Sequence, residues 1–282
     1  MHKIKRVDHA RPPVIALLTD FGESDFFTGS LRGVIAGIQP SARVFDITHG
    51  VASFDILAGA FILRAAFPYY PEGTVFLSVV DPGVGTSRRI LVVETQRFFF
   101  VAPDNGLLSL ALELESPKTI VAASNPRYFL ESPGQTFEAR DKMAPVAAWL
   151  SRGVPIEEFG DAIPDYNRLD IPPPRVHKRG ITGRVLYADK FGNLITNIPW
   201  KDVDRLAKSV SGRRLACRTG GRMVRRMVAA YAEADRGEAV FLPGSLGLVE
   251  VAVREGSAAR DLGARPGDSV AVMVSEEDAG KE

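Results

Sequence analysis

The chain has 282 residues, 45% hydrophobic and 24% charged, the composition of an ordinary globular protein long enough for one large domain or two smaller ones. Lys and Arg number 35 against 34 Asp and Glu, a net charge of +1, which gives no reason to expect nucleic acid or a polyanionic surface as partner. The single Cys217 excludes an internal disulfide framework and a cysteine metal cluster and is compatible with a reducing cytoplasm, and no apolar run approaches the ~20 residues that span a bilayer.

Residues 1–13 read as a basic arm without the apolar segment of a signal peptide. Val14-Ile15-Ala16-Leu17-Leu18-Thr19 is a continuous apolar run, as in a parallel strand covered on both faces, and it stops at Asp20-Phe21-Gly22. The pattern predicts a helix from about Asp25 to Ile38 with Ser24 as its N-cap and Pro40 as its stop. A strand over Arg43–Thr48 closes at His49-Gly50. Ser53 then opens a helix whose Phe54, Leu57, Ala58, Phe61, Ile62, Ala65 and Ala66 recur at helical spacing. The next strand, Thr74-Val75-Phe76-Leu77-Ser78-Val79-Val80, runs into Asp81-Pro82-Gly83-Val84-Gly85-Thr86-Ser87-Arg88-Arg89. The βαβαβ order argues for a layered, parallel sheet. Two adjacent strands follow, Ile90–Glu94 and Phe98–Ala102, the second broken by Pro103-Asp104-Asn105-Gly106 and followed by a short helix, Leu107–Glu113. Thr119–Ala123 is another strand. Thr136-Phe137-Glu138-Ala139-Arg140-Asp141 precedes a helix from about Lys142 to Ser151.

Three consecutive prolines, Pro172 to Pro174, exclude helix and central strand and mark a linker over 171–179. Beyond it lie short strand candidates separated by Gly, Asn, Asp or Pro: Gly183–Ala188, Leu194–Ile198, Val224–Ala230, Ala239–Leu242, Leu248–Val253 and Ser269–Val274. Trp200–Lys208 is the one clear helix among them. The expected fold is therefore α/β: a layered amino-terminal domain over 14–170 with a mainly parallel sheet, then a small, mostly antiparallel β-barrel or sandwich over 180–274. An acidic tail, 275–282, ends the chain.

Asp20, Asp81 and Asp104 come from three strand ends of one sheet and should share its rim, where open α/β sheets bind ligands and where a carboxylate can accept ribose hydroxyls. No phosphate loop accompanies them, since Gly83-Val84-Gly85 lacks the lysine and spacing of a Walker motif, so a nucleoside fits better than a nucleotide. There is no Gly-x-Ser-x-Gly elbow, and Cys217 has no histidine nearby in sequence. His49 reads as a hydrogen-bonded turn residue, and a magnesium site from Asp20, Asp25 and Asp104 is the metal alternative. In the second half, Asp189-Lys190-Phe191-Gly192-Asn193 places a ring and an amide two residues apart in a turn. That suits a purine, but taken alone the turn reads first as a hairpin with Phe191 in the core. Pro243-Gly244-Ser245-Leu246-Gly247 is a second such turn, with a hydroxyl and exposed backbone amides.

Taken in order, Thr19-Asp20-Phe21-Gly22, Asp46-Ile47-Thr48-His49, Asp81-Pro82-Gly83-Val84-Gly85-Thr86 with Arg88, Pro103-Asp104-Asn105-Gly106, Phe191-Gly192-Asn193 with Thr196-Asn197, and Ser245-x-Gly247 form a specific series. With it the chain, from about Val14 to Val274, resembles the S-adenosyl-L-methionine (SAM) hydroxide adenosyltransferases, adenosine-forming SAM hydrolases related to the fluorinase and chlorinase enzymes. The resemblance implies an α/β domain joined to a β-barrel. It also implies a homotrimer with active sites between the amino-terminal domain of one subunit and the carboxyl-terminal domain of its neighbour; the expected location, from the cysteine count and the amino terminus, is the cytoplasm. SAM is the substrate it implies, with no cofactor and no metal.

By the same resemblance, Asp20 holds the ribose hydroxyls, Phe54 flanks the sugar, Phe191 and Asn193 contact adenine, and Asp189 and Ser245 meet the methionine part. Water attacks the ribose 5′ carbon, oriented by an Asp-Arg-His set whose first two members match Asp81 and Arg88. The halogenating relatives lack aspartate at the first position, so Asp81 argues for water over halide. The third position departs. The family pattern Thr-Phe-His-Gly-Arg-Asp reads Thr136-Phe137-Glu138-Ala139-Arg140-Asp141 here, and the methyl of Ala139 narrows the space beside it. Glutamate, with an ordinary pKa of about 4.3, is a weaker base than histidine at about 6.5, and Arg88 pushes it lower. Glu138 either substitutes for the histidine or neutralises Arg88. The second case gives the alternative function, a SAM- or adenosine-binding protein with impaired catalysis. A metal-dependent hydrolase built on the aspartate rim is the third reading.

Overall fold

The apolar runs of the first half assemble into one mixed sheet, in a computed structural model that describes residues 12–210 and 213–275. Most of the basic arm and nearly all of the acidic tail lie outside the described residues. The chain divides into two units, one ending at Leu169 and the other beginning at Asp170.

The first unit runs β1 (Val14–Thr19), α1 (Phe27–Ile38), β2 (Arg43–Thr48), α2 (Ile56–Ala66), β3 (Val75–Val79), β4 (Ile90–Glu94), β5 (Phe99–Pro103), α3 (Ser109–Leu114), β6 (Thr119–Ala123), α4 (Ala144–Ser151) and β7 (Gly160–Ala162). The strand order is β2-β1-β3-β5-β4-β6-β7. The β2-β1, β1-β3 and β3-β5 pairs are parallel, and β5-β4, β4-β6 and β6-β7 are antiparallel. The parallel half is the part that the βαβαβ order predicts. Its partner arises because β4 and β5 form a hairpin, Thr95 N–H to Phe98 O at 2.9 Å, with β5 innermost. The sheet is therefore mixed.

Alternation along β1 builds both layers. Ile15 and Leu17 pack with Leu31 and Ile35 of α1 and with Val146 and Ala147 of α4. Leu18 faces the other way, towards α2, where a Cβ on Gly59 would meet Leu107 Cδ1 at 2.8 Å and Val80 Cγ2 at 3.0 Å. Only glycine lets α2 come that close. Phe67, Phe76, Phe98 and Phe100 add an aromatic cluster, edge-to-face except where Phe76 and Phe100 stack.

Two helix starts differ from the sequence expectation. The first helix begins at Phe27, not Asp25, and Ser24 does not cap it; its cap residue, Phe26, makes no side-chain hydrogen bond. The segment before it is instead tied to the turn after β2, through Gly22 N–H to His49 O at 2.8 Å. The second begins at Ile56, because Asp55 caps it by accepting from Ala58 N–H at 2.9 Å, and Phe54 just before has a left-handed backbone, φ +67°. A π-turn over Ala139–Met143 precedes α4, so Lys142 belongs to that turn.

The second unit is β-rich: β8 (Arg175–His177), β9 (Gly180–Ala188), β10 (Leu194–Pro199), α5 (Trp200–Ser209), β11 (Leu215–Thr219), β12 (Arg222–Val224), β13 (Arg226–Met227), β14 (Ala239–Pro243), β15 (Leu248–Val253), α6 (Ala258–Leu262) and β16 (Ser269–Val274). The order is β12-β11-β16-β9-β10-β15-β14-β13, with β8 beside β9. Its end strands, β12 and β13, are separated in sequence by Arg225 alone, so the sheet curls into a nearly closed, barrel-like form. Val185, Leu194, Val251 and Val272 fill its interior with Val203 and Leu206 of α5. Among the described residues, no helix is long and apolar enough to cross a membrane.

Candidate active site

Because β1, β3 and β5 are parallel neighbours, Asp20, Asp81 and Asp104 leave the sheet at one edge, as the sequence predicts. Each aspartate meets a different fate there.

Asp81 enters the loop between β3 and β4, where the chain turns back sharply. Gly83 N–H donates to Asp81 Oδ1 at 3.2 Å, and Gly85 takes a φ of +79°. This turn returns Arg88 onto Asp81. Arg88 Nε lies 3.0 Å from Oδ1 and 2.8 Å from Oδ2, and Nη2 lies 2.5 Å from Oδ2. The same Nη2 donates to Glu138 Oε2 at 2.5 Å, and Lys142 Nζ donates to Glu138 Oε1 at 2.5 Å. The structure thus brings Asp81, Arg88 and Glu138 together. It adds Lys142, which the sequence reading passes over although its i,i+4 spacing from Glu138 is the usual one for a helical ion pair.

Burial works against the Arg88 charge, but Asp81 and Glu138 outweigh it and hold the guanidinium more firmly protonated than usual. At Glu138 burial favours the neutral acid, yet the Lys142 hydrogen bond and the Arg88 charge prevail, so its pKa lies below the ordinary glutamate value. Glu138 is thus a fixed anion near neutral pH and a poor proton acceptor. Next to it, Arg140 and Asp141 pair with each other at 2.6 Å.

Asp20 Oδ2 accepts the Phe54 N–H at 2.8 Å. Phe54 is 68% exposed, so the left-handed backbone there holds a large ring out to solvent beside a carboxylate. Such strain costs about 1–3 kcal/mol and gathers at ligand sites. The Asp20 segment is braced from below. Thr19 Oγ1 accepts from Phe21 N–H and lies 2.8 Å from Nδ1 of the buried His49, whose Nε2 is 2.9 Å from Asp46 Oδ1. His49 is the hydrogen-bonded turn residue that the sequence suggests.

Asp104 is buried and structural. It accepts from Arg89 Nε at 2.7 Å and from the distant Asn167 N–H at 2.7 Å.

In the second unit, Asp189 organises its own turn. Oδ1 accepts from Phe191 N–H and from Asn193 N–H, both at 2.9 Å, and Oδ2 from Asn193 Nδ2 at 2.9 Å. Asn193 thus spends its amide donor on Asp189. Phe191 is 72% exposed, not in the core. Gly192 is required at its φ of +83°, where a Cβ would meet Ser257 Oγ at 2.0 Å. Ser245 lies exposed in the turn closed by Gly247 N–H to Gly244 O at 2.9 Å. Also in this unit, Tyr231 Oη donates to the largely buried Glu250 within β15, a pair the sequence pattern does not reveal. Burial, aided by the charge of Asp189, raises the Glu250 pKa despite that hydrogen bond.

Among the described residues, no three His, Cys, Asp or Glu side chains gather in a way that could hold a metal ion, and Asp20, Asp25 and Asp104 form no such group. Burial pushes the Cys217 thiol up to about 12, which suits packing and not nucleophilic attack.

Residues 15–160 match the SAM hydroxide adenosyltransferase N-terminal domain, and residues 183–271 match the C-terminal domain of that family. The (R)-S-adenosyl-L-methionine hydrolase of Thermus thermophilus is 37% identical over 266 residues, 92% of this chain and 99% of the relative. The enzyme of that name from Salinispora tropica is 37% identical over 94% of this chain and 99% of its own. The crystal structure of an uncharacterized conserved protein from Thermotoga maritima superposes with a TM-score of 0.84 at 37% identity, covering 92% of this chain and 99% of that one.

Proposed function

The chain belongs to the SAM hydroxide adenosyltransferase family, and we infer from this that it hydrolyses (R)-S-adenosyl-L-methionine to adenosine and L-methionine. The observation in the structure that carries the reading is the Asp81–Arg88–Glu138 cluster at the carboxyl end of β3. Water is the weak partner in this displacement. The sulfonium sulfur already accepts the electron pair of the breaking C5′–S bond and leaves as a neutral thioether, so the reaction calls for no acid and no cofactor. Water needs orientation, partial desolvation and somewhere to send its proton as the C5′–O bond forms. In our reading Asp81 accepts that proton, Arg88 fixes the Asp81 carboxylate, and Glu138 holds Arg88 through the Nη2 that Asp81 also engages. Glu138 thus takes the place of the family histidine as a charge partner, not as a base.

Asp20 receives the ribose hydroxyls in this reading and Phe54 flanks the sugar. Phe191 stacks on adenine, with Asn193 beside it. Asp189 and Ser245 take the methionine portion. The expected working form is a homotrimer whose sites combine residues of neighbouring subunits, a reading supported by the family resemblance, and its expected location is the cytoplasm. The relatives' names favour turnover over the alternative of a SAM- or adenosine-binding protein that Glu138 has silenced.

The test is incubation of the purified protein with SAM in halide-free buffer, with adenosine and methionine followed by chromatography. Equimolar release of both above the protein-free background is the expected result. Tight SAM binding by calorimetry without release overturns it.

A further inference from the structure

Both oxygens of the Glu138 carboxylate carry a cation. Arg88 Nη2 sits 2.5 Å from Oε2 and Lys142 Nζ sits 2.5 Å from Oε1. The Glu138 side chain is 6% exposed and that of Asp81, the other partner of Arg88, is 5% exposed. Signs therefore alternate along a row, Asp81 negative, Arg88 positive, Glu138 negative, Lys142 positive, and they cancel; the first three are nearly dry, and Lys142, 32% exposed, closes the row at the surface. Arg140 and Asp141, the other charges on this turn, cancel each other.

A buried group of charges tolerates imbalance poorly. Without Lys142, two nearly buried carboxylates share one guanidinium. Two responses are open to the chain. Glu138 takes up a proton, or it draws Arg88 away from Asp81. The first turns a fixed anion into a titrating group, and the second loosens the Asp81 carboxylate. The π-turn contributes directly here, since it carries Lys142 on the same segment as its partner, with Ala144 N–H bonded to Ala139 O.

We propose that Lys142 is a positioning residue of the hydrolytic site. Its ammonium keeps Glu138 permanently charged, so that Arg88 stays seated between two carboxylates and Asp81 alone accepts the proton of water. The depressed Glu138 pKa agrees with this arrangement. The groups facing Glu138 are Arg88 from the loop after β3 and Lys142 from its own turn, with Asp81 on the same Arg88 and the Arg140–Asp141 pair beside it. The proposal rests on the hydrolase reading of the same residues.

The experiment compares full-length wild type with Lys142→Met and Lys142→Arg. Carbon-13 NMR of glutamate-labelled protein, with Glu138→Gln identifying the resonance, follows the Glu138 titration. Adenosine release across pH follows the reaction. In Lys142→Met the Glu138 titration should move up by about one pH unit or more. The acid limb of the rate profile should move with it, and kcat should fall about tenfold while KM for SAM stays within about twofold. Lys142→Arg should restore the wild-type midpoint and rate. An unchanged Glu138 titration in Lys142→Met overturns the proposal, as do superimposable rate profiles. If Lys142→Met does not fold, Lys142→Gln gives the same reading. A wild type that releases no adenosine sinks the hydrolase reading instead, and the NMR titration still decides whether Lys142 fixes the charge of Glu138.

Discussion

Arg88 and Arg89 are adjacent, and each meets an aspartate at the end of a parallel strand, yet the two pairs belong to different kinds of structure. Arg88 is 9% exposed and joins Asp81 to Glu138, so its partners are charged side chains. Arg89 is 35% exposed and reaches Asp104 and Asp165. Asp104 also receives the Asn167 N–H, and its own carbonyl receives Asn167 Nδ2 at 2.8 Å. Ser109 Oγ, at the start of α3, accepts from Leu169 N–H at 2.8 Å, and together these bonds moor the 165–169 segment. Residue type and position are thus nearly identical in the two pairs. What separates them is the far end of the network. Asp104 ends in the backbone of a segment remote in sequence, which is the signature of a structural anchor. Asp81 ends in a balanced row of charges whose balance can be tuned.

The largest expected effect breaks the comparison along that line. Asp81→Asn should lower kcat for SAM about 10²- to 10⁴-fold, the usual contribution of a positioned base, on top of the loss of Tm expected when a buried, Arg-paired carboxylate is neutralised. Asp104→Asn should show that loss of Tm without the kinetic one. Weakening the charge-assisted pairing of a buried carboxylate costs about 1–3 kcal/mol, which in a chain of this size lowers Tm by several degrees, at about 2–4 °C per kcal/mol. Activity per folded molecule should stay within about threefold. Adenosine release and thermal melts on the two variants decide the matter. If Asp104→Asn abolishes turnover at unchanged Tm, the distinction drawn between the two aspartates is wrong.

How far this was legible in the sequence varies with range. The buried runs of β1, β3, β10 and β15 announce themselves, because an unbroken apolar stretch bounded by turn residues has few alternatives. The shared rim follows from the βαβαβ order alone. Helix starts were not legible, since Phe54 owes its backbone to Asp20 and Gly22 owes its place to His49, both partners brought by the fold. The antiparallel half of the first sheet was hidden because pairing order is not written in strand order. β11, Leu-Ala-Cys-Arg-Thr, is bounded by Gly220-Gly221 but is short, and Arg218 and Thr219 break its apolar run. In the site, Asp81, Arg88 and Glu138 were each visible as chemistry. Lys142 was not, because reading it as the first residue of a regular helix turned its side chain into a generic solvated charge. The Tyr231–Glu250 pair escaped for the usual reason, that residues 19 apart meet only through the sheet.

A smaller effect separates the exposed aromatic of the second unit from its polar neighbours. Phe191→Ala should raise KM for SAM about tenfold with kcat nearly kept, as expected from loss of one base–aromatic stack worth about 1–3 kcal/mol. Asn193→Ala should behave differently. Its amide serves Asp189, so the turn itself loosens, and both KM and thermal stability should change. Equal and purely kinetic effects of the two substitutions would show that Asn193 reads the base directly.

The smallest effect concerns acid, and here carboxylates of the two units respond with opposite sign. Glu138 and Asp141 have pKa values below their ordinary ones. Burial opposes this at both, but Lys142 and Arg88 outweigh it at Glu138, and Arg140 and Ser132 do so at Asp141. The stability they contribute is therefore present above their unfolded pKa values, about 4.3 for Glu and 3.9 for Asp, and is lost as pH falls through the lower folded values. Glu250 has a raised pKa, chiefly through burial, so its contribution is fully present below about 4.3 and is lost as pH rises through its folded value. Glu138→Gln should accordingly flatten the fall in Tm between pH 5 and pH 3. Glu250→Gln, which keeps an acceptor for Tyr231, should raise Tm at pH 7 by about 1–3 °C and leave it unchanged at pH 4. Melts at these pH values on the two variants read the signs directly. A Glu250→Gln protein that is less stable at pH 7 would mean that the Glu250 charge is compensated there, and that the two units do not differ in the way their carboxylates are held.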